Sequence, residues 1–371
     1  MAGRLLSSGV TLAVLVTAAT PIRRAAAMKQ YVGLDVSQKS TNVCIVDEEG
    51  RRLWTGKCLS TPEAIAIVVR ERAPLAERVG LETGPLCVWH YHGLKALGIP
   101  VFCIDARHAK AALAMQLNKT DENDAAGLAQ IMRTGWFREV HVKSFNAQLQ
   151  RSLLQSRLQL VNMRRDASNQ VRGALKVFGI VLPPGRPSTF DRLAREYLGG
   201  REELSAFIEP LLAAWHALGE QAALLDKRLR KAAKEHVVVK NLMTAPGVGP
   251  LIGMAYVATI DDPKRFVKSR NVGAHLGLAP RRFQSGEKDC QGSISKCGDA
   301  LLRHYLYEAA GVLLTRSRRS NSLKVWGMQL AKRIGKSKAR VAVARKLAII
   351  LHCMWRTGEA FRWGSSTEVA A

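Results

Sequence analysis

Three β-type runs stand in direct succession, at residues 31–36, 41–47 and 51–59, before any helical pattern begins. Their β-branched and apolar residues, with a Glu48-Glu49-Gly50 turn joining the last two, predict a meander of short strands. The pattern then alternates. A helix is predicted over 62–71, with Pro62 near its first position and Ser60 or Thr61 as cap. A strand over 78–82, a helix over 85–97, a strand over 101–104 and helices over 106–117 and 121–133 complete the segment. Three meandering strands followed by β-α-β-α constrain this stretch to a mixed sheet flanked by helices.

That order is the order of an RNase H-like α/β domain, expected over residues 28–142. Residues 143–240 are of another kind: helical, rich in Gln, Arg and Leu, and broken by Leu182-Pro183-Pro184-Gly185-Arg186-Pro187. Within them Leu211, Trp215, Leu218, Ala222, Leu225 and Leu229 follow a heptad spacing. A dimerising coiled coil and a helical hairpin within one chain produce the same seam, and both stay open. Residues 241–316 are expected as a mostly α-helical domain. It opens on Ala245-Pro246-Gly247-Val248-Gly249-Pro250, a turn like that of a helix-hairpin-helix, whose amides can grip a phosphate. Residues 317–371 read as a basic helical tail.

Charge narrows the function. Lys and Arg number 56 against 30 Asp and Glu, a net charge of +26 in 371 residues. A small-metabolite enzyme has no need of that excess, whereas a protein that neutralises a phosphate backbone does. The seven cysteines are scattered and never spaced as C-x-x-C, which disfavours a disulfide framework and a zinc site. That usage fits a cytoplasmic protein. Residues 1–27 point elsewhere, since Arg4, an apolar stretch over 9–20 and Arg23-Arg24-Ala25-Ala26-Ala27 resemble a secretory signal. The expectation adopted is that Met28 is the true start and 1–27 a mis-called extension. No stretch is long and apolar enough to predict a membrane helix.

Four carboxylates stand at chemically useful places. Asp35 ends a predicted strand in Gly33-Leu34-Asp35-Val36-Ser37, and Glu82 ends another in Leu81-Glu82-Thr83-Gly84-Pro85. Asp121 and Asp124 lie three apart at a helix start and share a face. Hard oxygen ligands so disposed suit Mg2+, and two such ions can clamp an in-line phosphoryl displacement. Taken singly, Asp35 serves equally as a turn residue and Asp121 as a helix-dipole partner. A second constellation is Ser293-Ile294-Ser295-Lys296-Cys297-Gly298-Asp299 ahead of a helical run. Positive neighbours could activate a serine hydroxyl there, although Ser295 or Asp299 as a plain N-cap explains the same residues. His90-Tyr91-His92 alternate on a helix and point apart. An actin-like ATPase opens with a similar Gly-Leu-Asp strand, but no second Asp-x-Gly strand motif follows.

Taken together, Gly33-Leu34-Asp35-Val36-Ser37, Leu81-Glu82-Thr83-Gly84-Pro85 and Lys119-Thr120-Asp121-Glu122-Asn123-Asp124-Ala125 resemble the DEDD transposases of bacterial insertion sequences. The later Pro246-Gly247-Val248-Gly249-Pro250, Leu276-Gly277-Leu278-Ala279-Pro280 and Ile294-Ser295-Lys296 followed by Gly298-Asp299 and Leu302-Arg303 resemble that family's second domain. The likeness runs in order from Met28 to Leu314. It implies a resolvase-like RNase H catalytic domain, a coiled-coil linker that assembles a homo-oligomer (dimer or tetramer), and a serine-bearing C-terminal domain. It further implies that Asp35, Glu82, Asp121 and Asp124 bind Mg2+, and that Ser295, with Ser293 as neighbour, attacks DNA to form a phosphoserine. In related proteins an element-encoded guide RNA pairs with both DNAs, which would leave the protein to grip backbone. Two other readings remain: a Holliday-junction-resolvase-like, structure-specific endonuclease without a covalent intermediate, and a non-catalytic nucleic-acid-binding protein.

Overall fold

Strand β1 (Gln30–Val36) is buried along most of its length and lies at the centre of a five-stranded sheet. A computed structural model describes residues 28–113 and 120–363, and the chain divides into two units between Lys143 and Ser144. The 1–27 extension and the end of the helix expected over 106–117 lie outside the described residues. In the first unit β1 pairs antiparallel with β2 (Ser40–Val46), and β2 with β3 (Arg52–Leu59). On its other side β1 pairs in parallel with β4 (Ala76–Glu82), and β4 with β5 (Val101–Ile104). The spatial order is β3-β2-β1-β4-β5, compatible with an RNase H-like sheet.

Helices cover both faces. On one, α1 (Pro62–Arg72) and α2 (Cys87–Ala96) bury Ile65, Val69 and Leu94 against Val32, Leu34, Val79 and Leu81. Thr61 is the cap of α1, its hydroxyl accepting from the Ala64 amide, and Pro62 needs no partner at the first position. After α3 (Ala106–Leu113), helix α4 (Asp121–Thr134) covers the opposite face with Ala125, Leu128, Ala129 and Met132. It starts on the Thr120 hydroxyl, which accepts from the Asn123 amide, and stops at Gly135, whose φ of 68° releases the chain. His90 is a core residue, hydrogen-bonded to Ser60 and the Leu86 carbonyl, whereas His92 reaches the Lys143 carbonyl at the surface.

The second unit is helical apart from one hairpin. Helices α5 (Phe145–Val177) and α7 (Glu202–Glu235) run antiparallel, with α6 (Phe190–Leu198) packed at their far end. The heptad seam on α7 is spent inside the chain. Trp215 takes the Arg164 guanidinium over its ring at 3.7 Å, Arg157 pairs with Asp226 at 2.9 Å, and Leu229 shares a core with Leu154. Helices α8 (Val237–Leu242) and α9 (Pro250–Ile260) flank the Pro-Gly-Val-Gly turn. There Gly247, at φ +82°, lies so close to α11 (Ala300–Thr315) that a Cβ would stand 2.4 Å from the Ala309 carbonyl. Close packing against α11 is therefore enough to require that glycine.

The described part of the basic segment after residue 316 is helical and joins the core of the second unit. After α10 (Arg270–His275) and α11, helix α12 (Ser322–Ile334) leads into α13 (Lys336–Thr357). Val343, Ala344, Leu347, Ala348 and Leu351 of α13 are buried in the same core as Leu154, Leu229 and Leu306. Arg and Lys crowd this sequence, yet every third or fourth position is apolar, and that stripe folds inward. Between residues 300 and 363 two acids, Glu308 and Glu359, face fourteen Lys and Arg.

Candidate catalytic site

Side chains alternate across a strand, so one buried face fixes the other. Val32 and Leu34 of β1, with Val79 and Leu81 of β4, enter the core under α1 and α2. Gly33 and Asp35, and likewise Gly80 and Glu82, therefore take the face that α4 covers. Leu34 is registered on Leu81 in the parallel pair, which makes Asp35 and Glu82 the next neighbours on adjacent strands. Their backbones are about 5 Å apart by strand spacing.

Helix α4 runs opposite to β1. Its C-terminal half meets the β2–β3 turn, where Gln130 donates to the Gly50 carbonyl at 2.7 Å and Arg133 to that of Glu48 at 3.3 Å. Its middle presses on β1 at Gly33, where a Cβ would stand 2.1 Å from the Ala125 carbonyl oxygen and 2.4 Å from the Ala129 nitrogen. Only a glycine lets the helix settle there. Asp121 lies about 6 Å beyond Ala125 along the helix. Asp35 lies about 7 Å beyond Gly33 along the strand, in the same direction. The first turn of α4, with Asp121 exposed and Asp124 half-buried, thus overhangs the strand ends that carry Asp35 and Glu82.

Neighbouring groups hold this edge. The Thr83 amide donates to the Ile104 carbonyl at 2.9 Å, and its hydroxyl accepts from the Ala106 amide at 3.0 Å, pinning the end of β4 to the start of α3. Asp105, a fifth acid nearby, is engaged by Arg107, whose hydrogen bonds hold its carboxyl down at about 2. Among the described residues no three acid, histidine or cysteine side chains close into a ligating cluster. The donor set nonetheless suits a hard dication: carboxylate oxygens from two adjacent strand ends and one helix start, at the rim of an otherwise basic protein.

The serine lies in the second unit, at the foot of a hairpin absent from the sequence reading. Strands β6 (Pro280–Ser285) and β7 (Lys288–Ile294) are exposed on both faces, so neither shows the alternation that marks a half-buried strand. Ser293 is exposed on β7, and Ser295 follows it, half-buried. The Ser295 amide donates to the Ala279 carbonyl at 2.9 Å and the Lys296 amide to that of Gly277 at 3.1 Å. Lys296 is held at φ +56°, a left-handed conformation that costs a side-chain-bearing residue energy and must be imposed by its surroundings. Gly277 and Gly298 impose it. A Cβ on the first would stand 2.1 Å from the Cys297 carbonyl, and on the second 2.1 Å from that of His275.

Asp299 is the cap of α11, accepting from the Leu302 amide at 2.7 Å, and it also pairs with Arg151 of α5. Ser295 is not the cap; its hydroxyl accepts the Cys297 amide at 3.4 Å. Arg303 braces the loop through the Leu276 and Cys297 carbonyls, at 3.1 and 3.2 Å. Beside it opens a cleft of about 230 Å³ lined by Ile294, Arg303, His304 and Tyr307.

Known proteins resemble the chain along both stretches. The model of the IS110-type DEDD transposase matches residues 32–180, and that of the transposase IS116/IS110/IS902 family matches residues 239–325. The chain is 28% identical over 352 residues to the transposase for insertion sequence element IS1111A of Coxiella burnetii, covering 91% of this chain and 92% of that one. It is 30% identical over 253 residues to the putative transposase y4pF/y4sB of Sinorhizobium fredii, covering 66% and 64% respectively. A third relative is the mini-circle putative transposase for IS117 of Streptomyces coelicolor, 26% identical over 325 residues, 70% of this chain and 78% of that one.

Proposed function

The chain belongs to the IS110 family of DEDD insertion-sequence transposases, and we propose that it moves its element by divalent-metal-dependent DNA cleavage and strand exchange through a phosphoserine. The observation that carries the reading is the Leu34–Leu81 register, which makes Asp35 and Glu82 next neighbours on the face covered by α4, below the helix that starts with Asp121 and Asp124. These four would hold Mg2+, which when bound supplies charge neutralisation at the reacting phosphate. The carboxylates orient the ion and fix where DNA backbone approaches.

Ser295 is the nucleophile in this reading. Its Oγ bonds to phosphorus, the scissile P–O bond breaks, and the departing oxygen ends as a hydroxyl. The left-handed Lys296 and the brace from Arg303 hold the serine in place, which lowers the cost of bringing it to the phosphate. The basic surface of α11–α13 binds backbone without reading bases, consistent with target choice delegated to an element-encoded guide RNA. The protein works as a homo-oligomer. The α7 seam faces α5 of the same chain.

The test is cleavage by Asp35→Asn and Asp124→Asn protein. Both variants are expected to abolish excision in Mg2+ while still shifting DNA and RNA in gels. Normal recombination by either variant would remove that residue from the site.

A further inference from the structure

The row of residues at the site edge holds one member that the DEDD pattern does not include. In the antiparallel pair, Asp35 of β1 is registered on Asn42 of β2, and registered partners share a face. Asn42 therefore stands in line with Asp35 and Glu82, next along from Cys44 and Val46, which pack under α4. It is 3% exposed, and its side-chain oxygen Oδ1 has no hydrogen-bond partner. Its neighbour Thr41, on the opposite face, is fully buried and satisfied by the Ser60 hydroxyl at 3.0 Å. Among the described residues Asn42 Oδ1 is the one such orphaned side-chain atom in the first unit.

An orphaned buried acceptor costs stability unless it has a partner in the working state. Beside a carboxylate row, the natural partner is an O–H donor brought in with a cation. We propose that Asn42 is a positioning residue of the cation site, its Oδ1 accepting a hydrogen bond from water carried by the divalent ion. This rests on the metal reading of Asp35, Glu82, Asp121 and Asp124. A neutral amide is the right choice there, since a fifth carboxylate directly across from Asp35 would add repulsion before any ion arrives. Losing such an outer contact typically weakens metal binding about 10–100-fold.

The experiment titrates Mn2+ into full-length protein without nucleic acid, reading free Mn2+ by electron paramagnetic resonance, and measures Tm in chelator. Wild type is expected to bind and Asp35→Asn to lose binding; if those two bind equally, the metal reading itself fails. With that contrast in hand, Asn42→Leu is expected to bind Mn2+ at least tenfold more weakly, with a Tm in chelator no lower than wild type. A purely structural asparagine gives the reverse: wild-type Mn2+ affinity and a lower Tm in chelator. Should Asn42→Leu fail to fold, Asn42→Asp decides. Its expected signature is a lower Tm in chelator and a larger Mn2+-induced rise in Tm than wild type, and an unchanged rise overturns the proposal.

Discussion

The two units hold their candidate groups by different means. In the first, the carboxylates are set by sheet register: once Leu34 pairs with Leu81, the positions of Asp35 and Glu82 follow. In the second, Ser295 is set by a loop with a left-handed lysine, locked by backbone contacts to Gly277 and Ala279. Both depend on glycines, used differently. Gly33 admits a helix onto a flat sheet, whereas Gly277 and Gly298 interlock two segments of irregular backbone. A sheet edge distributes its support over many hydrogen bonds. The serine loop concentrates it in a few, and is therefore the more sensitive to a single atom.

Adding that atom at each place sharpens the contrast. Gly298→Ala should have the largest effect, because its Cβ would meet the His275 carbonyl at 2.1 Å and its φ is +82°. The expected cost is about 2–4 kcal/mol, overpacking plus a left-handed alanine. Adduct formation on DNA should fall with it, while Mn2+ affinity in the first unit stays at the wild-type value. Gly33→Ala should cost about 1–3 kcal/mol by denaturant unfolding. It should lower cleavage about a hundredfold in protein that still folds, since α4 and its two aspartates are displaced from the strand ends. Gly80→Ala is the control: the nearest atoms its Cβ meets belong to the flexible Met132 side chain rather than to backbone, so it should disturb both readouts less.

The smallest expected effect is a pH dependence confined to the second unit. Burial, helped by Arg356, holds the His352 imidazole below its ordinary 6.5, between the Pro263 carbonyl and the Ser269 hydroxyl. The unfolded chain then binds the proton more tightly than the folded one, so the stability is complete above about pH 6.5 and erodes as pH falls below it. Thermal unfolding from pH 7.5 down to 5 should show that decline in wild type and a shallower one in His352→Gln. Equal slopes would remove His352 as its source.

Much of the first unit was legible because β1, β2, β4 and β5 each carry a run of buried residues. The runs at 31–36, 41–47 and 101–104 announce themselves by apolar residues, and the start of α4 by Asp121 and Asp124. The face that Asp35 and Glu82 share under α4 was not legible, because it depends on Gly33 touching Ala125, a contact 92 positions away in sequence. Asn42 carried no signal at all, being one polar residue in a β run. In the second unit the hairpin of β6 and β7 escaped because solvent on both faces removes the pattern that betrays a strand. In the basic segment after residue 316 the inward stripe of α13 is hard to read for the opposite reason, because the surrounding charge masks it. The heptad on α7 was read correctly as a seam, but a period cannot say whose helix fills it.

The central claim is that the chain links itself to DNA through Ser295 in a metal-dependent reaction that needs Asp35. It is tested most directly by trapping the protein–DNA adduct from a Mg2+ reaction and mapping the modified peptide by mass spectrometry. The account predicts a DNA-linked peptide carrying the link on Ser295, absent from Ser295→Ala and from Asp35→Asn, and retained in Ser293→Ala. An adduct that persists in Ser295→Ala, or forms undiminished in Asp35→Asn, would contradict it.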